Sequence, residues 1–317
     1  MRLTHPARPS HRGSTLRAVA SVVALSLLGA AAAAQQPASK PAARVVMLGT
    51  GSPILTVQHS GNSVGILVNR ALYVFDAGPG IERRMLEAVA RGITFDTIPA
   101  VFITHLHSDH TLGLPALLYD HGPNASFAGG GTLAVFGPPG IAAMMEHIRQ
   151  AWSADHDIRK RNNDGIGTSL DARVTEIAPG VVYRDSNVVV SAFEVPHTVW
   201  PHALGYRIEA GGRTIVISGD ERPSDATVTA CNGCDVLLHE VYSAEGYKTI
   251  PPARQKYHAY SHTSTYELAD IATRARPKLL VLYHQLYFGG TTDDDLVREV
   301  RSRYAGRVVS ARDLDVF

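Results

Sequence analysis

Thr104-His105-Leu106-His107-Ser108-Asp109-His110 places three histidines and one carboxylate within six residues. Imidazole and carboxylate at this density form a ligand set for a divalent cation: zinc first, with manganese or iron as alternatives. Alternate residues of an extended segment project the same way, so His105 and His107 can reach one ion. The chain then turns, and Asp109 and His110 face a second position close by. The bland alternative is a polar loop of solvated histidines. It fits poorly with a cluster that directly follows an apolar run and with the ligand-type residues that recur downstream.

Those residues are His197, Asp220, His239-Glu240 and His284, each at the end of an apolar run. His197 would complete three imidazoles on the first ion, and His284 would give the second ion another. Asp220 could bridge the two through its two oxygens. Each ion then keeps an open position, which is the mark of a catalytic site.

The elements that must position these side chains are legible as alternating runs. Residues 100–103 read as a buried strand and 111–118 as the start of a helix, so the cluster lies at a strand's C-terminal end, where open α/β folds place their chemistry. Residues 44–48 form a first strand, followed by the turn Gly49-Thr50-Gly51-Ser52-Pro53. No Lys follows that turn, so it is a weak phosphate-loop signal. Residues 63–68 and 72–75 pair as a hairpin ending in Asp76-Ala77-Gly78-Pro79-Gly80. Residues 81–90 are an amphipathic helix with Ile81, Met85, Leu86 and Val89 on one face. A strand at 133–136 and a helix through about Trp152 follow. Residues 153–171 read as polar and irregular, with the charged run at 157–161 a solvated face. A second β block begins near Val174. Strand 188–193 delivers His197, hairpin 203–209/214–218 delivers Asp220, and strand 235–238 delivers His239-Glu240. Helix 264–275, strand 279–283 ending in His284, helix 293–303 and a strand near Val308 close the chain. Two β-rich halves with interspersed helices predict two packed sheets with helices outside.

The 317 residues suffice for one large domain, and 45% hydrophobic with 19% charged residues describes a globular chain. The beginning differs from the rest. Arg2, Arg8, Arg12 and Arg17 precede an apolar core at 18–28 and a small-residue run to Ala34. That order predicts a secretory signal over 1–34, a linker over 35–43 and the folded domain over 44–317. Without the signal the net charge falls from +1 to −3, and no polybasic arm remains. The expected location is periplasmic or secreted, with no stable membrane anchor. Cys231 and Cys234 read as two small residues at a helix-to-strand turn, with a disulfide left open. His202, His239 and His258 line the pocket or serve the structure. Trp200, Tyr257, Tyr260 and Tyr287 are candidates for an aromatic wall.

Taken together, Thr-His-Leu-His-Ser-Asp-His, a later His, Ser218-Gly219-Asp220 and Leu282-Tyr283-His284 resemble the metallo-β-lactamase superfamily. Within it, Leu48-Gly49-Thr50-Gly51-Ser52-Pro53, Asp76-Ala77-Gly78-Pro79-Gly80, His239-Glu240 and Ser261-His262-Thr263-Ser264 resemble the ribonuclease Z and arylsulfatase branch. The resemblance implies an α/β fold, an αββα four-layer sandwich, with two Zn2+ per chain. It matches His105, His107 and His197 to the first ion, Asp109, His110 and His284 to the second, and Asp220 to the bridge. Asp76 matches a buried carboxylate that shores up the site. Asp109 would aim the attacking group, His262 would reach the leaving group, and Glu240 would orient His262. Two ions about 3.5–4 Å apart would lower the pKa of a bridging water and supply hydroxide near neutral pH.

Residues 54–62 read Ile-Leu-Thr-Val-Gln-His-Ser-Gly-Asn, where that branch carries basic residues, and no long glycine-rich arm is present. With export, this predicts a small-molecule ester substrate and no large nucleic-acid partner; a homodimer is compatible with the sequence. The expected function is an exported dinuclear zinc hydrolase cleaving a small phosphodiester. The alternatives are a sulfate ester hydrolase, a lactone or β-lactam hydrolase, and a non-catalytic metal-binding scaffold. The scaffold reading expects lost ligands, and none is missing.

Overall fold

The computed structural model describes residues 42–54, 56–120, 132–162 and 172–317. The expected signal and most of the linker lie outside the described residues. In the first half, β1 (Arg44–Gly49), β2 (Ser63–Val68), β3 (Ala71–Phe75), β4 (Val101–Phe102), β5 (Leu133–Gly137) and β6 (Ala172–Glu176) form one sheet in that order. The first two pairings are antiparallel and the last three parallel. In the second half, β7 (Gly180–Arg184), β8 (Val188–His197), β9 (Trp200–Ala210), β10 (Arg213–Ile217), β11 (Val236–Tyr242), β12 (Leu280–Leu286) and β13 (Val308–Ser310) form the other sheet, also in chain order. It is antiparallel from β7 to β10 and parallel from β10 to β13.

The two sheets bury their inner faces against each other. Met47, Ile66, Tyr73, Phe75 and Phe102 of the first meet Val190, Tyr206, Ile208, Ile217, Leu238 and Tyr283 of the second. Phe75 and Phe102 stack with centroids 4.9 Å apart. The outer face of the first sheet is covered by α1 (Ile81–Ala90), α3 (Leu114–Asp120) and α4 (Ile141–Ala151). The outer face of the second is covered by α6 (Asp225–Cys231), α9 (Thr265–Ala275) and α10 (Asp293–Arg301). These are the two packed sheets with helices outside that the alternating runs predict, and the four-layer αββα sandwich that the resemblance implies.

Local chemistry sets the helix starts. Ser264 and Thr292 each close a capping box with the N3 carboxylate of α9 and α10. Several expectations need correction. On α1, Ile81, Met85 and Ala88 are buried, while Leu86 and Val89 face outward. The helix after the histidine cluster is two pieces, α2 (Ser108–Thr111) and α3, broken at Gly113. A Cβ at Gly113 would lie 2.5 Å from the Gly78 carbonyl oxygen, so the close approach of these two loops sets the break. The segment from Ser153 is a helix, α5 (Ser153–Asn162), with no buried residue and an Arg159–Asp155 ion pair; residues 163–171 lie outside the described residues. Two short helices, α7 (Ala244–Tyr247) and α8 (Pro252–Ser261), were not anticipated. Cys231 and Cys234 form a disulfide between the end of α6 and the turn into β11. Among the described residues no helix is long and apolar enough to cross a membrane.

Candidate metal centre

The ligand-type residues converge because each sits where a strand or its turn breaks regularity. β4 ends and the chain runs through Thr104 to His107 before α2 begins, which presents His105 and His107 together and turns Asp109 and His110 inward. His197 ends β8, and the register with β9 slips between Val195 and His197. Asp220 follows Gly219, whose φ of +67° suits a residue without a Cβ beside the Leu204 carbonyl. His284 is the extra residue of a bulge in β12, opposite Glu240 and Val241, and has φ +47°. A bulge re-aims one side chain out of the sheet's alternation. Asp76 also lies in the left-handed region at the end of β3. Such conformations persist only where the surroundings fix them.

Two ligand sets result. His105, His107, His197 and Asp220 have ligand atoms within 4.8 Å of one another, and so do Asp109, His110 and His284. The Nε2 of His105 lies 2.9 Å from the Nδ1 of His107, and the Nε2 of His197 lies 3.3 Å from that same atom. In the second set, the Nε2 of His284 is 3.1 Å from Asp109 Oδ2, and the Nε2 of His110 is 3.4 Å from it. Asp220 touches both sets: Oδ2 is 3.9 Å from His105 Nε2 and 3.3 Å from His284 Nε2, and Oδ1 is 3.5 Å from His110 Nε2.

Outer partners hold the rings. His197 Nδ1 donates to the Ser261 carbonyl at 2.7 Å. His110 Nδ1 meets Asp76 Oδ2 at 2.7 Å, and Asp76 also accepts from the Thr104 amide and hydroxyl. The Asn62 amide reaches the same carboxylate at 3.4 Å. This is the support that Asp76 was expected to give. Thr104 and Asn62 were missed; Thr104 opens the heptad and could have been found, whereas nothing near Asn62 in sequence singles it out. The Trp200 indole donates to His107 Nε2 at 2.8 Å, which puts Trp200 at the site as expected, but as a ring anchor. Tyr287 donates instead to Asp293.

The electrostatics fit cations. Burial, with the His110 charge behind it, pushes His105 well below its ordinary value, and burial brings His197 down to about 4, so both offer neutral lone pairs. Burial works against charge on His110 as well, yet Asp109, Asp220 and Asp76 together lift it well above the ordinary value. That pole of the site therefore demands positive charge. Buried His110 Nε2 and Asp220 Oδ1 have no hydrogen-bond partner in the protein. Orphaned ligand atoms beside an excess of carboxylate are what a divalent cation satisfies.

His262, at the end of α8, brings Nδ1 to 3.3 Å from Glu240 Oε2 and 3.9 Å from Asp220 Oδ2. Glu240 is fully buried, and its Oε1 accepts from the Thr263 amide at 2.8 Å. His239 turns away from the ligands, with Nε2 2.8 Å from Glu221 Oε1 and Nδ1 2.7 Å from the Glu240 carbonyl, so it is structural. His202 is exposed beside Glu194, and His258 is buried against Phe288.

Residues 72–285 match the family model described as "Beta-lactamase superfamily domain". The chain belongs to the beta-lactamase superfamily. It is a metal-dependent hydrolase and a homologue of ribonuclease Z: it is 30% identical over 240 residues to the ribonuclease Z of Mycolicibacterium gilvum, covering 76% of this chain and 83% of the relative. In structure, this superfamily member is similar to the metallo-beta-lactamase fold protein YhfI from Bacillus subtilis, with TM-score 0.68, 16% identity and coverage of 87% and 99%. It is also similar to the short form of human tRNase Z, with TM-score 0.61, 23% identity and coverage of 86% and 98%. These relatives overturn one expectation. The sequence predicts no large nucleic-acid partner, but the homologues are enzymes of nucleic acid by name. The physical reason is that a net charge of either sign says little about one face. A cation-demanding cleft can receive a phosphate backbone without a polybasic arm. The arylsulfatase side of the expected resemblance gains no support from them.

Proposed function

We propose that this hydrolase cleaves phosphodiester bonds, RNA among them, with two zinc ions held by the two ligand sets, after export to the periplasm or beyond. The observation that carries the reading is Asp220 between two complete ligand sets, with the His262–Glu240 pair on the same edge. Two divalent ions held by these residues would lower the pKa of a water and stabilise an oxyanion developing at phosphorus. The chain's own groups do the rest. Burial pushes the Asp109 carboxyl up, but His110 and His284 beside it overcome that and hold it ionised, so it accepts a hydrogen bond from the attacking water and aims it. Glu240, fixed by the Thr263 amide, sets its other oxygen 3.3 Å from His262 Nδ1, and neither of these two atoms has a hydrogen-bond partner elsewhere in the protein. With Nδ1 on the Glu240 side, Nε2 is the ring nitrogen that would protonate the leaving oxygen. Burial brings His262 down to about 4, and the charge of a bound phosphodiester would raise it towards the working range.

A second reading of His262 has its own support, because Asp220, His262 and His284 also lie within ligand distance of one another. The two readings separate on one variant. His262→Ala should keep both ions and slow cleavage by about 100-fold on poor leaving groups, and much less on p-nitrophenolate. Loss of one ion in that variant, measured by metal analysis, would make His262 a ligand instead. The proposed function itself is tested on zinc-loaded protein with bis(p-nitrophenyl) phosphate, a short RNA, an aryl sulfate and a lactone. Turnover of the two diesters supports it. Inactivity on both sinks it, whatever happens to the others. Export is supported by the basic, apolar and small-residue order of residues 2–34. Recovery of the whole chain, uncut, in the cytoplasm of an expressing bacterium would remove that part.

A further inference from the structure

Helix α8 carries Arg254, Lys256, Tyr257 and Tyr260 on its exposed side and no acidic residue. Tyr257 and Tyr260 are 49% and 47% exposed. Lys256 and Tyr260 are one turn apart, with Tyr257 beside them. The Arg222 guanidinium lies over the Tyr260 ring, 5.0 Å from its centroid. Arg222 is two residues beyond Asp220, and its amide donates to the Pro196 carbonyl, next to His197. At the other side, the Tyr257 ring is 6.3 Å from that of His262. The helix ends at Ser261, whose carbonyl holds His197. Among the described residues, none of Arg222, Arg254 and Lys256 is paired with a carboxylate. Three cations without a carboxylate partner and two half-exposed tyrosine rings, one of them under Arg222, thus lie beside the ligand sets.

We propose that the exposed side of α8, with Arg222, is a track for a single strand of nucleic acid leading into the metal centre. The alternation decides the occupant. Exposed tyrosine faces stack with unpaired bases, while cations one residue away meet the phosphates between them. A duplex hides its base faces, and an acidic protein or a lipid headgroup has no use for the rings. This inference rests on the phosphodiester reading, since it supplies the substrate's approach to that same site.

The test uses the zinc-loaded full chain and a fluorescein-labelled twelve-nucleotide RNA, single-stranded or annealed to its complement, read by anisotropy. The single strand should bind more tightly than the duplex. Arg254→Ala/Lys256→Ala/Tyr260→Ala should weaken single-strand binding by at least about tenfold and, with two cations lost at about 0.7 each, reduce its salt slope by about 1.4. Tyr260→Trp, which keeps a stacking face, should bind as the parent does. Bis(p-nitrophenyl) phosphate spans the ion site but not α8, so its turnover in the triple variant reports that the protein is folded and loaded. Unchanged single-strand affinity in the triple variant, equal affinity for duplex, or equal loss in Tyr260→Trp overturns the track. If the parent turns over the diester but the variant binds as the parent does, the track fails and the phosphodiester reading stands. If the track binds as described but neither RNA nor diester is cut, the reading fails and the track stands.

Discussion

Two carboxylates in this molecule sit among polar partners and end differently. Asp185, at the turn between β7 and β8, is satisfied by the chain alone. It accepts from the Tyr73 hydroxyl at 2.5 Å, the Tyr183 hydroxyl at 3.1 Å, and the amides of Asn187 and Val188 at 2.8 and 2.9 Å. Asp220, between β10 and α6, is fully enclosed by three strand ends, yet its Oδ1 accepts from no protein donor and its neighbours are imidazoles with their own unmet atoms. The first is a closed hydrogen-bond account, and the second leaves a carboxylate oxygen without a donor among imidazoles, an arrangement that a cation would satisfy. That difference separates a structural carboxylate from a ligand. The same division runs through the backbone. His284 and Asp76 adopt left-handed conformations at the site, while the strands that bury Phe75, Tyr206 and Ile217 between the sheets pair in regular register there.

The comparison breaks most visibly at Asp220. Asp220→Ala removes the carboxylate that reaches both ligand sets. Hydrolysis should fall by at least about 1000-fold and the metal content of purified protein should drop, measured by turnover and by elemental analysis of the same sample. The metal-free protein should also lose stability, because Asp220 lies 3.3 Å from His284 Nε2 and 3.5 Å from His110 Nε2 and its charge helps to raise both rings. If activity and both ions survive the change, Asp220 is not a bridge, and the contrast with Asp185 loses its meaning.

How much of this contrast the sequence carried depends on distance along the chain. The heptad and the four later strand ends were legible because ligand chemistry concentrates residue types that are rarely adjacent to apolar runs. The two-sheet architecture was legible for the same reason, through alternating and apolar runs. What failed was set by contacts between remote segments. The split between α2 and α3 follows from Gly78 meeting Gly113. The burial of α1 turned towards Ala88 because the face that meets β1 is chosen by the sheet and not by the helix's own moment. Helix α8 has few apolar residues to show periodicity, and its anchors are His258 and Ser261. The bulge at His284 and the Asn62 contact to Asp76 leave no local signature. The nucleic-acid expectation failed because whole-chain charge was read where the charge of one face was needed.

A smaller effect follows from the unmet atoms of the site taken together. A cation that binds the folded chain and not the unfolded one stabilises it by about 2.7 kcal/mol at a free concentration 100 times its dissociation constant. Stripping zinc with a chelator should therefore lower Tm by several degrees, and adding zinc back should restore it. A thermal melt read by scanning fluorimetry decides this. An identical Tm with and without zinc would mean that the cluster is satisfied by protons on His110 and His284, and the distinction drawn from Asp220 would collapse into ordinary pairing.

The smallest effect belongs to Asp185, and it sharpens the comparison from the other side. Burial raises this carboxyl, but the Tyr73 hydroxyl and the Val188 and Asn187 amides outweigh it and hold its pKa below the ordinary value. A carboxyl depressed in the folded state contributes stability that is present above its unfolded pKa of about 4 and is lost as pH falls through the folded value. Asp185→Asn keeps the shape and removes the charge. It should cost about 1–2 kcal/mol at pH 7, discounted for the solvent that reaches this turn. The gap between parent and variant in urea unfolding should close as pH drops below about 4. Diester turnover at pH 7 should not change, because no ligand atom depends on this turn. A variant that loses turnover in proportion to stability would tie the two carboxylates together, and a gap that widens in acid would reverse the sign assigned to Asp185.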